Sequence, residues 1–240
     1  MKFLLQYLII VTGLIANHVQ ATSLFETYCQ SEAGNESCFT DTKYYESPRT
    51  LEDDKILRIN KQDQVGIMSA ISQHKGLRDM YKLKNLTPIN QCNLYGYDLK
   101  NAFMNKQEVT LDLDNDPLTH EYLVTLEKQC YYSKGMYELS QPFWIIQKVN
   151  NDYKVLLDYE ADVVSFKALK HDPHVYPIIY VDGFTHRVSK ELALYKTYRR
   201  PADFKDHPCV IAKRYMENIN DRYQVVHEDY NTLRCSTENP

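Results

Sequence analysis

The chain has 240 residues, 43% of them hydrophobic, with 20 Tyr, only 7 Gly and a formal net charge of −4. That is enough apolar material to bury a sizeable core in one domain or two small lobes. It is also too acidic, and too dispersed in its Lys and Arg, to present a nucleic-acid footprint: the densest basic spot, Arg199-Arg200, runs straight into Pro201 and the acidic Asp203 and Asp206.

Residues 1–21 read as a signal peptide. Met1-Lys2 gives a positive start, Phe3 to Ala16 is almost wholly apolar, and Val19-Gln20-Ala21 supplies small residues at a cleavage point after Ala21. The apolar run is too short and wrongly flanked for a bilayer span, so the expected location is the periplasm or the extracellular space, with no membrane span after cleavage. All six Cys lie beyond that point, and an even number in an exported chain reads as a disulfide framework. Several connectivities are open. The simplest is sequential: Cys29 with Cys38, Cys92 with Cys130, and Cys209 with Cys235. None forms a Cys-x-x-Cys pair, so neither a thioredoxin-like site nor a zinc ribbon is indicated.

Residues 22–52 are polar, broken by Gly34-Asn35 and Ser47-Pro48, and read as an irregular arm clasped by a disulfide. Asn60 followed by Asp63 resembles a capping arrangement, and Val65, Met68 and Ile71 repeat on one helical face before Gly76 offers a stop. A second stripe, Leu77, Met80, Leu83 and Leu86, ends at Pro88. Asp98 is placed to cap a short third helix carrying Leu99, Ala102 and Phe103 on one face. From Gln107 the period changes to two. Val109, Leu111 and Leu113 alternate with polar residues, and strands are expected at Glu121 to Glu127, Phe143 to Val149, Tyr153 to Tyr159, Val163 to Leu169, Tyr176 to Val181, Leu192 to Tyr198, and Tyr223 to Val226. Asn150-Asn151, Asp182-Gly183 and Asn220-Asp221 are the turn signals between them. Brief polar links favour antiparallel pairing, because parallel strands need long crossovers. The expected fold is α+β and disulfide-bonded: a disulfide-clasped arm and small N-terminal helical portion over 22–106, then an antiparallel β-meander over 107–240, with one continuous domain over 22–240 also allowed.

The most site-like segment is Asp112-Leu113-Asp114-Asn115-Asp116-Pro117, an acidic turn opening a strand. Side chains two apart on an extended backbone point the same way, so Asp112, Asp114 and Asp116 are candidate ligands for calcium. Against this stands Pro117 where such loops place glycine, with Leu123 where an EF-hand puts its bidentate Glu. The competing reading is an Asx-type turn that sets strand register.

Together with Glu121-Tyr122-Leu123-Val124, Cys130, Pro142-Phe143-Trp144-Ile145-Ile146 and Asn151-Asp152-Tyr153-Lys154-Val155-Leu156-Leu157, this turn resembles a family of uncharacterised bacterial exported proteins. They carry one degenerate repeat similar to the Asp-rich FG-GAP or VCBS type. The segment from Tyr215 to Tyr223, with Asn218, Asn220 and Asp221 between, is similar to that family's last hairpin. The likeness covers residues 107–226 and implies a β-rich periplasmic module. It brings no catalytic residues with it.

Other chemistry is sparse. His171-Asp172-Pro173-His174 brings two histidines near each other, but Pro173 denies them one helical face and no third ligand is evident. His120 and Glu121 are adjacent, so on a strand they point to opposite faces. A Gly-x-Ser-x-Gly elbow, a phosphate loop and a His-Glu-x-x-His helix are all missing from the sequence. Trp144, the single Trp, reads as core. Asn35-Glu36-Ser37 and Asn85-Leu86-Thr87 fit the glycosylation pattern, which matters only in a eukaryotic source. The expected function is therefore a non-catalytic exported binding or interaction module that engages an envelope or extracellular protein or a small ligand, without nucleic acid and without a cofactor other than the candidate calcium. The alternatives are an exported hydrolase using dispersed carboxylates, or a secreted inhibitor of a host enzyme.

Overall fold

A computed structural model of the chain describes residues 23–29, 38–40, 44–46, 59–74, 76, 91–104, 107–109, 111–127, 130, 141–170, 176–185 and 210–231. The signal segment, the stripe from Leu77 to Leu86, His171 and His174, the strand expected at Leu192 to Tyr198 and the Cys209/Cys235 pair fall outside the described residues. Among them are two α-helices, α1 (Leu24–Cys29) and α2 (Lys61–Gln73), and the strands β1 (Tyr44–Glu46), β2 (Leu94–Asp98), β3 (Ala102–Met104), β4 (Gln107–Val109), β5 (Thr119–Leu126), β6 (Gln141–Val149), β7 (Asp152–Ala161), β8 (Val163–Lys167), β9 (Ile178–Thr185), β10 (Val210–Asn218) and β11 (Tyr223–Asn231).

All the strand pairings are antiparallel. One sheet runs β2-β5-β6-β7, a second runs β1-β8-β9-β10-β11, and β3-β4 forms a small ribbon. The meander is therefore split between two sheets, and the chain passes from one to the other at Asp162, whose N–H donates to the Asp182 carbonyl at 2.9 Å. The inner faces share one core: Leu123, Phe143, Ile145 and Leu157 of the first sheet with Val164, Phe166, Ile179, Val181 and Met216 of the second. The outer face of the first sheet is covered by α2, where Ile67 and Ile71 meet Tyr122, Val124, Trp144 and Ile146. Trp144 is core, as expected. The outer face of the second sheet is covered by α1, whose Phe25 packs with Phe39, Leu169 and Ile178. Four layers result, helix on sheet on sheet on helix, and period-two alternation decides which core each strand residue enters.

Cys29 pairs with Cys38 and Cys92 with Cys130, with Cα separations of 5.6 and 6.0 Å, as the sequential scheme expects. The first closes the arm beside α1. The second ties the start of β2 to the end of β5. Helix α1 is further held by Glu217 of β10, whose carboxylate accepts Ser23 Oγ at 2.7 Å and the backbone N–H groups of Leu24 and Phe25 at 2.9 and 3.1 Å. Those first-turn donors have no partner within the helix, so a buried carboxylate from a distant strand takes their place.

The turn chemistry fell partly where expected. Asn150 (φ 57°) turns β6 into β7, and Asn220 and Asp221 (φ 54° and 59°) turn β10 into β11, positions where Asn and Asp tolerate the left-handed region. Asp182-Gly183, by contrast, lies inside β9, paired with Lys213 and Ala212 of β10, a strand that the periodicity did not announce. The helical portion is smaller than expected: the helix after Asp98 is a single 3-10 turn, Leu99–Asn101, followed by β3. In α2 the buried face is Asp63, Ile67 and Ile71, with Val65 72% exposed, and the helix stops at His74 and not at Gly76.

Candidate functional site

Two acidic centres, each with one buried carboxylate (Asp63 and Glu121), stand on opposite faces of the first sheet. On its outer face, Asn60 caps α2, accepting the Asp63 N–H on Oδ1 at 2.9 Å. Asp63 then turns toward the sheet. Its Oδ1 accepts Lys148 Nζ and the Tyr153 hydroxyl, each at 2.7 Å, and its Oδ2 accepts the Tyr122 hydroxyl at 2.7 Å and Asn60 Nδ2 at 2.6 Å. The close approach of Tyr153 depends on Gly66, where a Cβ would strike the Tyr153 ring. Burial by itself would raise the Asp63 carboxyl, but the bonds from Lys148, Tyr153, Tyr122 and Asn60 outweigh it and hold the pKa well below the usual carboxylate range. The same contacts raise the Lys148 ammonium, chiefly through its bond to Asp63.

The inner face carries the opposite arrangement. The acidic turn runs from Leu111 to Leu118, with Leu111 and Leu113 buried and Asn115 at φ 55° supplying the bend that Pro117 cannot. Asp114 Oδ1 accepts the Asp116 N–H at 2.9 Å and Asp116 Oδ1 accepts the Leu118 N–H at 2.9 Å, which makes two successive Asx turns. Asp114 also accepts Thr119 Oγ1 at 2.8 Å and Gln147 Nε2 at 2.7 Å. Lys100 reaches in from the 3-10 turn, with Nζ 3.2 Å from Asp112 Oδ2 and donating to the carbonyls of Asp116 and Thr119.

The third carboxylate beside Asp112 and Asp114 is not Asp116, which is exposed, but Glu121 of β5. One carboxylate oxygen from each of Asp112, Asp114 and Glu121 lies within 4.8 Å of the others. Glu121 is fully buried; Gln147 Nε2 stands 3.4 Å from its Oε1, while its Oε2 and the buried Asp112 Oδ1 have no hydrogen-bond partner. Burial and the neighbouring Asp114 charge raise the Glu121 carboxyl, and burial with Asp112 alongside raises that of Asp114. Tyr223, buried beneath the cluster and donating to the Pro177 carbonyl at 3.3 Å, is pushed well above its ordinary value by burial and by these charges.

A groove of about 250 Å³ lies elsewhere, between β7 and the β10–β11 hairpin. Val155, Leu157, Met216 and Val225 form apolar walls, and His74, Asp158 and Arg222 stand among the lining residues, with His74 Nε2 3.3 Å from Asp158 Oδ1.

These features define a disulfide-bonded antiparallel β protein of two main sheets, with a partly buried carboxylate cluster at one end of its inter-sheet core. No family model, curated protein or solved structure matches the chain.

Of the three aspartates singled out by spacing, the structure brings Asp112 and Asp114 together and leaves Asp116 outside, bound to its own turn. Glu121, Gln147, Thr119 and Lys100 were not read as site residues. The signal for Glu121 was present, since it sits on the same face as Thr119 two positions on, and its separation from His120 is as expected: His120 Nδ1 lies 3.1 Å from Asp98 Oδ2 on the other face. Gln147 joins through the pairing Glu121↔Gln147, which no local pattern announces.

Proposed function

We propose that the chain is an exported, non-catalytic binding module, acting in the periplasm or the extracellular space, which takes an apolar side chain of a protein partner into the groove between β7 and β11. The observation that carries this reading is the groove's composition: apolar walls with three polar side chains, the pattern of a recognition site. At about 250 Å³ it falls below the range typical of small-molecule clefts and suits a single large side chain. The two cysteine pairs accord with an oxidising location. No helix among the described residues is long and apolar enough to cross a membrane. Many of the buried charged groups are already engaged in holding the fold, as with Asp63, Glu217 and Arg214, whose Nε donates to Glu228 at 2.6 Å.

The test is a titration of immobilised, oxidised chain against envelope or secreted extract. Saturable capture is expected, lost on substitution of the 39% exposed Val225 by Arg with the melting temperature unchanged. Non-saturable capture, or capture indifferent to Val225→Arg, overturns the reading. An exported hydrolase is the second reading, favoured by one observation: half-buried Asp114 and fully buried Glu121 are neighbouring carboxyls whose proton affinities are raised, as in an acid/base pair. Turnover of a glycoside, ester or peptide panel that disappears in Glu121→Gln would replace the binding reading with this one.

A further inference from the structure

We infer that Asp112, Asp114 and Glu121 together hold one divalent cation of the calcium class, fastening the acidic turn to the end of the inter-sheet core. The first ground is the unmet demand of buried oxygens. Glu121 is fully buried, and its Oε2 and Asp112 Oδ1 receive no hydrogen bond, so these two buried oxygens lose their hydration without replacement. A cation placed among three carboxylate oxygens that lie within 4.8 Å of one another meets that demand directly. The second ground is charge. Among the described residues, Lys100 is the ammonium that reaches the cluster; of the three carboxylates it meets Asp112, and it is otherwise bound to the carbonyls of Asp116 and Thr119, so it offsets one of three negative charges. A doubly charged ion balances the remaining two.

The donor set selects the class of ion. Every ligand in the cluster is a hard carboxylate oxygen, with no sulfur or imidazole among them, which disfavours zinc and copper and suits calcium, magnesium or manganese. Calcium fits best, because the donors come from two unrelated pieces of chain, an irregular turn and a strand, and calcium accepts irregular oxygen shells where magnesium demands near-ideal octahedra. Gln147 stands ready to complete the shell. Its Nε2 now faces Asp114 and Glu121, and turning the amide over presents its carbonyl oxygen instead. The ligands of this site are not among the residues that line the groove proposed for partner binding, although Tyr223 borders both. It also differs from a site built on the turn alone, since Asp116 takes no part and the strand residue Glu121 is essential.

The experiment uses the full oxidised chain, freed of metal and titrated with calcium chloride and separately with terbium chloride, with terbium emission excited through neighbouring tyrosines such as Tyr176 and Tyr223. Calcium at millimolar or lower concentration is expected to raise the melting temperature and to quench terbium emission by displacement, while equal magnesium does so weakly. Glu121→Gln should weaken binding by about a hundredfold, through loss of a charged ligand. Asp112→Asn, on the half-exposed turn, should weaken it too and guards against a core variant that misfolds. Asp116→Asn should bind as the wild type does. Absence of any shift or emission with the unmodified chain overturns the inference, as does wild-type affinity in Glu121→Gln or a preference for magnesium.

Discussion

The two acidic centres of the first sheet are built from adjacent residues and reach opposite electrostatic ends. Glu121 and Gln147 face inward to the carboxylate cluster, whereas Tyr122 and Lys148, each the next residue along, face outward to Asp63. Asp63 is surrounded by donors and a cation, so its burial is compensated within the chain. Glu121 stands beside Asp114 with neutral donors only, from Thr119, Gln147 and the Leu113 backbone, and its Oε2 receives no hydrogen bond, so its burial is not offset by a cation. The lesson is that burial alone does not tell a structural acid from a ligand-seeking one. The partners facing it from the neighbouring strands do.

Breaking the outer centre should have the largest effect. Asp63→Ala strands Lys148 and two tyrosine hydroxyls and is expected to lower stability by about 3 kcal/mol in urea denaturation, the order for removing one partner of a buried pair. The inner centre should respond with the opposite sign: in metal-free protein Glu121→Gln relieves repulsion and gains about 1 kcal/mol, measured the same way. A loss on both substitutions would erase the contrast.

The pH dependence sharpens it. Asp63 has a depressed folded-state pKa, so its contribution is present above its ordinary value of 3.8 and is lost as pH falls toward the folded-state value. Asp114 and Glu121 are raised, so their contribution is present below their ordinary values of 3.8 and 4.5 and is lost as pH rises through the elevated ones. Urea midpoints of metal-free protein should therefore show wild type and Asp63→Asn converging in acid, while Glu121→Gln pulls ahead of wild type as pH rises above 4.5. Away from both centres, Asn220→Ala should cost about 1 kcal/mol through its left-handed φ of 54°. The smallest effect belongs to Asp116→Asn, expected within about 0.5 kcal/mol because it touches only an exposed Asx turn.

The elements most legible in the sequence were those whose cause is local. Asn60 caps α2 because its side chain reaches the N–H of Asp63 three residues away, and Asn150 and Asn220 turn hairpins because their own backbone tolerates positive φ. Strands β5 to β9 showed their alternation, and β5 and β6 also showed long apolar runs, because both faces of the first sheet are covered. On α2 Met68 and Ile71 pack inward as expected, but Val65 faces solvent and Asp63, a charged residue, occupies a buried position that hydropathy assigns to solvent. Strand β10 went unannounced by periodicity for a related reason, since Lys213, Arg214 and Glu217 break its apolar pattern while Arg214 is buried against Glu228 across the hairpin and Glu217 against Ser23 far along the chain.

What the amino-acid order determined unaided was the alternation, the hairpin turns and the helix cap, all interactions between residues close along the chain; it left the cysteine connectivity open, and Cys92 meets Cys130 across 38 residues. What only the tertiary structure decided was which acids are matched and which are not. That depends on strand register, through Glu121↔Gln147 and His120↔Lys148, and on the laying of α2 across Tyr122 and Tyr153. The free energy of a buried charge is set by the groups packed around it in space, and that neighbourhood exists only once the two sheets have closed.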